Sequence, residues 1–175
     1  MENEIIKLKE WLALHNNLLT DEDNELSEIL KEDKADESLF TSILNKIKMP
    51  KANLEEILMS DSLSAKDKTE YLVYWSVANK DINDINRPIL EGYLLFLSQE
   101  YLIQFSSIVA YILLKKYGKT DFLNQFSQFL KLNIDYDGSI GILNPLRESL
   151  KGDNITNWKF KNTYFGYMFL IAHNQ

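Results

Sequence analysis

Between Pro88 and Tyr117 the chain reads PILEGYLLFLSQEYLIQFSSIVAYILLKKY, its most apolar stretch. Leu90, Tyr93, Leu94 and Leu97 recur at spacings of three and four. Tyr101, Leu102, Phe105, Ile108, Val109, Ile112 and Leu113 then continue the same period. The pattern predicts two consecutive helices, with Pro88 as the first helical residue and Gly118 as the stop. Apolar residues fill more than one stripe, so both helices are expected to be buried on several sides. Crossing a membrane takes about 20 predominantly apolar residues. Glu91 and the run Ser98-Gln99-Glu100 interrupt the stretch, which predicts buried helices and no membrane partner.

Upstream, Ile5, Leu8, Trp11, Leu12, His15 and Leu19 predict a helix over about 3–19. Thr20 followed by Asp21, Glu22 and Asp23 is a helix start, because a hydroxyl and three acids suit unsatisfied N–H groups and the positive end of the helix dipole. Leu26, Ile29 and Leu30 carry that helix forward. After the polar break KEDKADE, Leu39, Phe40, Ile43, Leu44 and Ile47 form a stripe ended by Pro50. Asn53 is placed to cap a short helix with Leu54, Ile57 and Leu58. Ser64 is placed to cap the next, whose stripe is Tyr71, Leu72, Trp75 and Ala78. The joint at residues 80–86 is the natural hinge.

Downstream, Thr120 caps a helix bearing Phe122, Leu123, Phe126, Phe129 and Leu130. Asn144-Pro145 starts a short helix ending near Gly152. The alternation of Trp158, Lys159, Phe160 and Lys161 predicts an extended arm, and from Asn162 the tail predicts a last helix. The expected fold is all-α, an irregular helical bundle or stack of helical hairpins with about nine helices. A chain of 175 residues is expected to form a single domain, 1–175. Within it, 1–80 forms an acidic helical layer and 81–175 an aromatic-rich core layer.

Charge separates those layers. Residues 1–70 hold nine Lys and seventeen acids, a net of −8, whereas residues 71–175 hold ten basic residues and nine acids, a net of +1. Aromatics divide the other way, with only Trp11 and Phe40 before Tyr71. The absence of cysteine removes disulfides, thiolate nucleophiles and cysteine-ligated metals. The acidic start MENEIIKLKE lacks the features of a secretory signal, and a cytoplasmic location is the expectation. A Lys-rich, Arg-poor, Asn-rich composition suits a bacterial source with an AT-rich genome.

The sharpest local pattern is Asn133-Ile-Asp135-Tyr-Asp137-Gly138-Ser139-Ile140. It places oxygen-bearing residues at alternate positions and a glycine at the sharp turn, as a calcium loop does. Asn133, Asp135, Asp137 and Ser139 are the candidate metal ligands. Asn144 stands where such a loop has its bidentate acid, and Pro145 where the exiting helix continues. The competing expectation is an acidic inter-helix turn that holds no cofactor.

The same segment, Tyr136-Asp137-Gly138-Ser139-Ile140-Gly141, a polar insertion and then Thr163-Tyr164-Phe165-Gly166-Tyr167-Met168-Phe169-Leu170, resembles one repeat of the α/α-toroid superfamily of terpenoid cyclases and prenyltransferases. The resemblance covers about residues 120–172 and implies a toroid-like arrangement there. The aspartate-rich cyclase motif is absent, and no cysteine completes a prenyltransferase zinc site, so architecture transfers and activity does not.

Other chemistry finds little footing. Six scattered glycines build no phosphate-cradling loop, and His15 and His173 are the only histidines. Arg87 and Arg147 each lie within two residues of a proline and read as surface ion pairs. Trp158, Lys159, Phe160, Lys161, Tyr164 and Phe165 interleave aromatics with bases, as single-strand nucleic-acid binders do. A net charge of −7 repels phosphate, so no nucleic-acid partner is expected.

Together these features favour a non-enzymatic, protein-binding chain of the inhibitor, immunity or regulatory type. Its basic protein partner is expected to meet Asp21, Glu22, Asp23, Glu25 and Glu28. The alternatives are a small-molecule binder or enzyme with a pocket among the aromatic helices, lined by Tyr71, Tyr74, Tyr93, Tyr101 or Tyr111, and a calcium-stabilised helical domain.

Overall fold

A computed structural model describes Ile6, Glu10, Ala13, Leu14 and residues 20–32, 53–78, 86–141 and 153–175. Seven helices run through these segments: α1 Asp21–Glu32, α2 Leu54–Met59, α3 Ala65–Ala78, α4 Asn86–Gln99, α5 Ile103–Tyr117, α6 Asp121–Leu132 and α7 Asp153–Asn174. The chain is therefore all-α among the described residues. The helices expected over most of 3–19, over 39–47 and over 145–152 lie outside them.

Helix starts follow the local chemistry closely. The Asn53 side chain accepts from the Glu56 N–H at 2.9 Å while the Glu56 carboxylate accepts from the Asn53 N–H, a reciprocal box that opens α2. Ser64 Oγ accepts from the Asp67 N–H at 3.1 Å, and Thr120 Oγ1 from the Leu123 N–H at 3.2 Å. Gly118, at φ 71°, ends α5 with its N–H on the Leu114 carbonyl.

The apolar stretch 88–117 folds as α4 and α5, and α5 is the hub. It packs against α3, α4, α6 and α7. Every residue from Ser106 to Leu113 is buried, as its lack of a polar stripe demands. Leu72 and Val73 of α3, Leu90, Leu94 and Leu97 of α4, and Phe165 and Phe169 of α7 fill the surrounding core.

One joint shows a feature the pattern did not predict, and one segment departs from expectation. Between α4 and α5 the Leu102 N–H reaches the Leu97 carbonyl at 2.9 Å, and the Tyr101 N–H reaches Ser98 at 3.1 Å. This is a Schellman motif with Tyr101, at φ 58°, in the left-handed position that normally takes glycine. The residues expected to form an extended arm, Trp158 to Lys161, are instead helical within α7. Two aromatic and two basic residues in alternation match a strand over so short a window. Here Phe160 is fully buried, while Lys159 and Lys161 reach to acids on either side.

Asn162 settles a third local question. Leu102 gives α5 no side-chain cap. Instead Oδ1 of the buried Asn162, on α7, accepts from the Gln104 N–H at 3.0 Å. One helix thus caps another where the sequence offers no local cap.

Candidate functional site

The acidic residues of α1 do not act as one surface. Thr20 and Asp23 cap each other: the Asp23 N–H donates to Thr20 Oγ1 at 3.2 Å, and the Thr20 hydroxyl donates to Asp23 Oδ2 at 2.7 Å. That geometry turns Asp23 inward, where it is 6% exposed and lies 2.9 Å from Lys161 Nζ on α7. Asp21, Glu25 and Glu28 remain exposed. The side chain of Glu22 lies outside the described residues.

Further polar contacts seat α1 on the core. Ser27 Oγ lies 2.6 Å from the Tyr164 hydroxyl, and Lys31 Nζ sits 5.6 Å from the centre of the Tyr164 ring. Lys115 of α5 donates to the Leu30 carbonyl at 2.9 Å, satisfying the last turn of α1. Ile29 and Leu30 supply the buried apolar side.

Beneath α1 lies a cavity of about 280 Å³ bounded by α1, α3, α5 and α7. Asp23, Glu25 and Leu26 line it from α1, Lys66, Thr69, Glu70 and Tyr74 from α3, Gln104 and Phe105 from α5, and Lys161 from α7. Its wall mixes both signs of charge with apolar surface. Burial, reinforced by the carboxylates of Glu25 and Glu70, pushes the Tyr74 phenol up to about 12, so it stays a neutral hydrogen-bonding group at ordinary pH. Thr69 is buried beside the Tyr93 phenol. Burial likewise takes Tyr93 to about 12, with a hydrogen bond from the Thr69 side chain pulling the other way. The Tyr93 hydroxyl also points towards the Ala65 carbonyl at 3.5 Å.

The five tyrosines offered as pocket-lining candidates lie in different places. Tyr74 lines this cavity, Tyr111 lines a separate groove with Tyr164 and Tyr167, and Tyr101 sits at the α4–α5 joint. Tyr71 and Tyr93 are core residues. Missed at the sequence level was the polar row Lys66, Thr69, Glu70, Tyr74. It recurs at helical spacing beside the apolar stripe of the same helix and is legible in retrospect.

The turn after α6 is tied to α7. Ile134 and Ile140 form an isolated antiparallel bridge, and the Asp135 N–H donates to the Ser139 carbonyl at 2.8 Å. Lys159 Nζ lies 2.9 Å from Asp135 Oδ2 and 3.8 Å from Asp137 Oδ2, so an ammonium stands between the two candidate ligand carboxylates. Ser139 Oγ donates to Asp137 Oδ1 at 2.6 Å. Burial raises the Asp137 carboxyl, but hydrogen bonds from Ser139 and the Lys159 charge outweigh it and hold the group below its ordinary range. The Asn133 amide turns back to the Phe129 carbonyl at 2.7 Å. The structure thus gathers Asp135, Asp137 and Ser139 around Lys159 and leaves Asn133 at the end of α6. Asn144 lies outside the described residues. No group of three or more His, Asp or Glu residues suited to a metal ion occurs among the described residues.

Arg87 pairs with Glu91 at 2.9 Å and lies over the Tyr117 ring, matching the ion pair expected of it. Arg147 lies outside the described residues. None of the described helices is long and apolar enough to cross a membrane. Comparisons with protein-family models, curated proteins and solved structures give no match. The fold and site define an all-α protein with an acid-faced helix seated over a charged cavity.

Proposed function

We propose that the chain is a non-enzymatic binding protein, of the inhibitor, immunity or regulatory kind, whose acidic N-terminal part engages a basic protein. The observation that carries this reading is the division of labour on α1. Asp23 is consumed in holding the helix to Lys161, while Asp21, Glu25 and Glu28 stay exposed to solvent. Surface carboxylates on a firmly seated helix raise the encounter rate with a basic surface and set its register.

The test is calorimetric titration with a basic protein captured from the source cells, from 50 to 500 mM salt. Affinity is expected to fall with salt, and by about tenfold when Asp21→Asn, Glu25→Gln and Glu28→Gln are combined. A salt-independent affinity that survives all three changes overturns the reading.

A small-molecule binder is the second reading, favoured by the mixed charged, hydroxyl and aromatic lining of the cavity. Ligand sites combine apolar walls with a few placed polar groups, as this one does.

A further inference from the structure

We infer that Asp137-Gly138 is the site at which this chain undergoes spontaneous aspartate isomerisation, at a rate governed by the contacts that hold the turn to α7. It is the chain's one Asp-Gly pair, and no Asn-Gly pair occurs. The reaction needs a main-chain nitrogen that a carboxyl carbon can approach, and glycine offers one with no Cβ beside it. The Asp137 side chain is 37% exposed, so water reaches it. The Gly138 nitrogen gives up its proton and bonds to the Asp137 side-chain carbon, whose hydroxyl leaves with that proton as water, closing a five-membered imide. Water then adds at the former main-chain carbonyl of Asp137. That C–N bond breaks, the hydroxyl staying on carbon and the proton passing to nitrogen. The chain now runs through the side-chain carbon, the former main-chain carbonyl is a free carboxylate, and neither oxidant nor reductant is consumed.

The folded turn restrains both reacting groups. Asp137 Oδ1 accepts from the Ser139 N–H at 3.0 Å and from the Ser139 hydroxyl at 2.6 Å, an Asx turn that keeps the carboxyl on residue 139. Its Oδ2 lies 3.8 Å from Lys159 Nζ. The Gly138 N–H donates to the Asp135 carbonyl at 2.9 Å, so the proton that must be lost is engaged as well. The product adds one carbon to the main chain inside a turn closed by the Asp135 N–H on the Ser139 carbonyl at 2.8 Å. The next N–H, that of Ile140, is tied to Thr163 Oγ1 of α7 at 2.8 Å, and the Gly138 carbonyl receives the Tyr167 hydroxyl. The extra atom is therefore accommodated only by loosening the turn from α7.

The experiment incubates the full chain in neutral buffer, folded and, in parallel, unfolded in guanidinium chloride, and follows isoaspartate by peptide mapping with electron-transfer fragmentation. Isoaspartate is expected first at residue 137, and about tenfold more slowly in the folded chain than in the unfolded one. Ser139→Ala, with its fold verified by circular dichroism, should speed the folded-state reaction about tenfold, because it removes a charge-assisted hydrogen bond to the carboxylate. Lys159→Gln should speed it to a smaller extent, and neither change should alter the rate in the unfolded chain. Equal rates in the folded and unfolded chain, isoaspartate accumulating first at another position, or unchanged rates in both folded variants overturn the proposal. The comparison of folded with unfolded chain needs no substitution, so a variant that does not fold leaves the test standing.

Discussion

Asp23 Oδ2 and Lys161 Nζ lie 2.9 Å apart, joining the first turn of α1 to α7. Asp23 is almost fully buried, while about a quarter of the Lys161 side chain is exposed. Removing one partner of such a pair leaves a desolvated charge behind, which costs more than the pair itself contributes. Lys161→Met is therefore expected to destabilise the chain by about 1–3 kcal/mol in urea unfolding. Asp23→Asn, which keeps an oxygen to receive the Thr20 hydroxyl, should cost less. In a double-mutant cycle the combined variant should be more stable than the sum of the two losses implies. Additive losses would mean that the two side chains act independently.

The Tyr101 backbone offers a gain instead. A non-glycine residue at φ 58° meets its own Cβ against the neighbouring backbone, at a cost of about 1–2 kcal/mol. The side chain is 38% exposed, so its truncation surrenders little packing. Tyr101→Gly is expected to stabilise the chain by about 0.5–1 kcal/mol, read as a higher urea midpoint at unchanged slope. A lower midpoint would show that the ring contributes more than the conformation costs.

The same two places show what the sequence could and could not display. Thr20, Asn53, Ser64 and Thr120 are legible as caps because the hydroxyl or amide and the N–H it receives are three residues apart. Leu90, Leu94 and Leu97, or Ile108, Val109 and Ile112, are legible as core because burial follows the helical period. Tyr101 was not legible as a left-handed position, since the hydrogen bonds that place it there are indifferent to its side chain. Nor was Asn162 as a cap for α5, because the N–H it receives belongs to a distant helix. The cavity joins four elements, and periodicity within one helix cannot say which polar row will face another. Asp23 illustrates the limit most directly. By composition it belonged with Asp21, Glu25 and Glu28, and its local role as a cap turns it to the opposite use.

The turn after α6 carries a prediction about calcium. Lys159 occupies the space between Asp135 and Asp137, so a divalent ion would have to expel an ammonium to reach them. Millimolar calcium is expected to leave the melting temperature of the natural chain unchanged and to raise that of Lys159→Gln, because a ligand bound only to the folded state adds stability. A calcium-dependent rise in the natural chain would show that the ion displaces Lys159. Gly138, at φ 88° and with its carbonyl receiving the Tyr167 hydroxyl at 3.1 Å, fixes the shape of this turn. Gly138→Ala should cost about 1–2 kcal/mol.

His173 gives the acid side of the stability profile. Its Nε2 lies 3.0 Å from Asn124 Oδ1, its Nδ1 is buried without a partner, and its ring packs on Phe169 with centroids 5.4 Å apart. A proton on Nε2 satisfies the Asn124 contact, whereas a second proton on Nδ1 would find no acceptor. Burial, helped by Lys119 and Lys131, holds the imidazole below its ordinary pKa. The folded chain therefore binds this proton less readily than the unfolded chain. The stability from the neutral ring is fully present above about pH 6.5, the unfolded value, and is lost as pH falls through the folded pKa. His173→Gln should flatten that part of the melting profile, and the ring proton shifts of His173 should titrate below those of a free histidine. A normal or elevated midpoint in the NMR titration would show that the ring is solvated and the Asn124 contact is not held.

Tyr74 and Tyr93 set the alkaline limit by the opposite sign. Both phenols are pushed up to about 12, chiefly by burial, so the unfolded chain loses these protons first as pH rises. Their contribution is complete below about pH 10 and disappears as pH climbs through the folded values. Ultraviolet titration of the nine tyrosines should show an early group ionising reversibly and a late group ionising together with loss of helical circular dichroism. Tyr74→Phe should remove one late phenol while leaving the early group unchanged. At Tyr74 the carboxylates of Glu25 and Glu70 add to the shift, so Glu25→Gln should bring that phenol's ionisation to lower pH and leave Tyr93 where it was. Equal movement of both tyrosines would mean that the substitution loosens the fold, and no movement of either would show that the Glu25 charge does not reach the Tyr74 phenol.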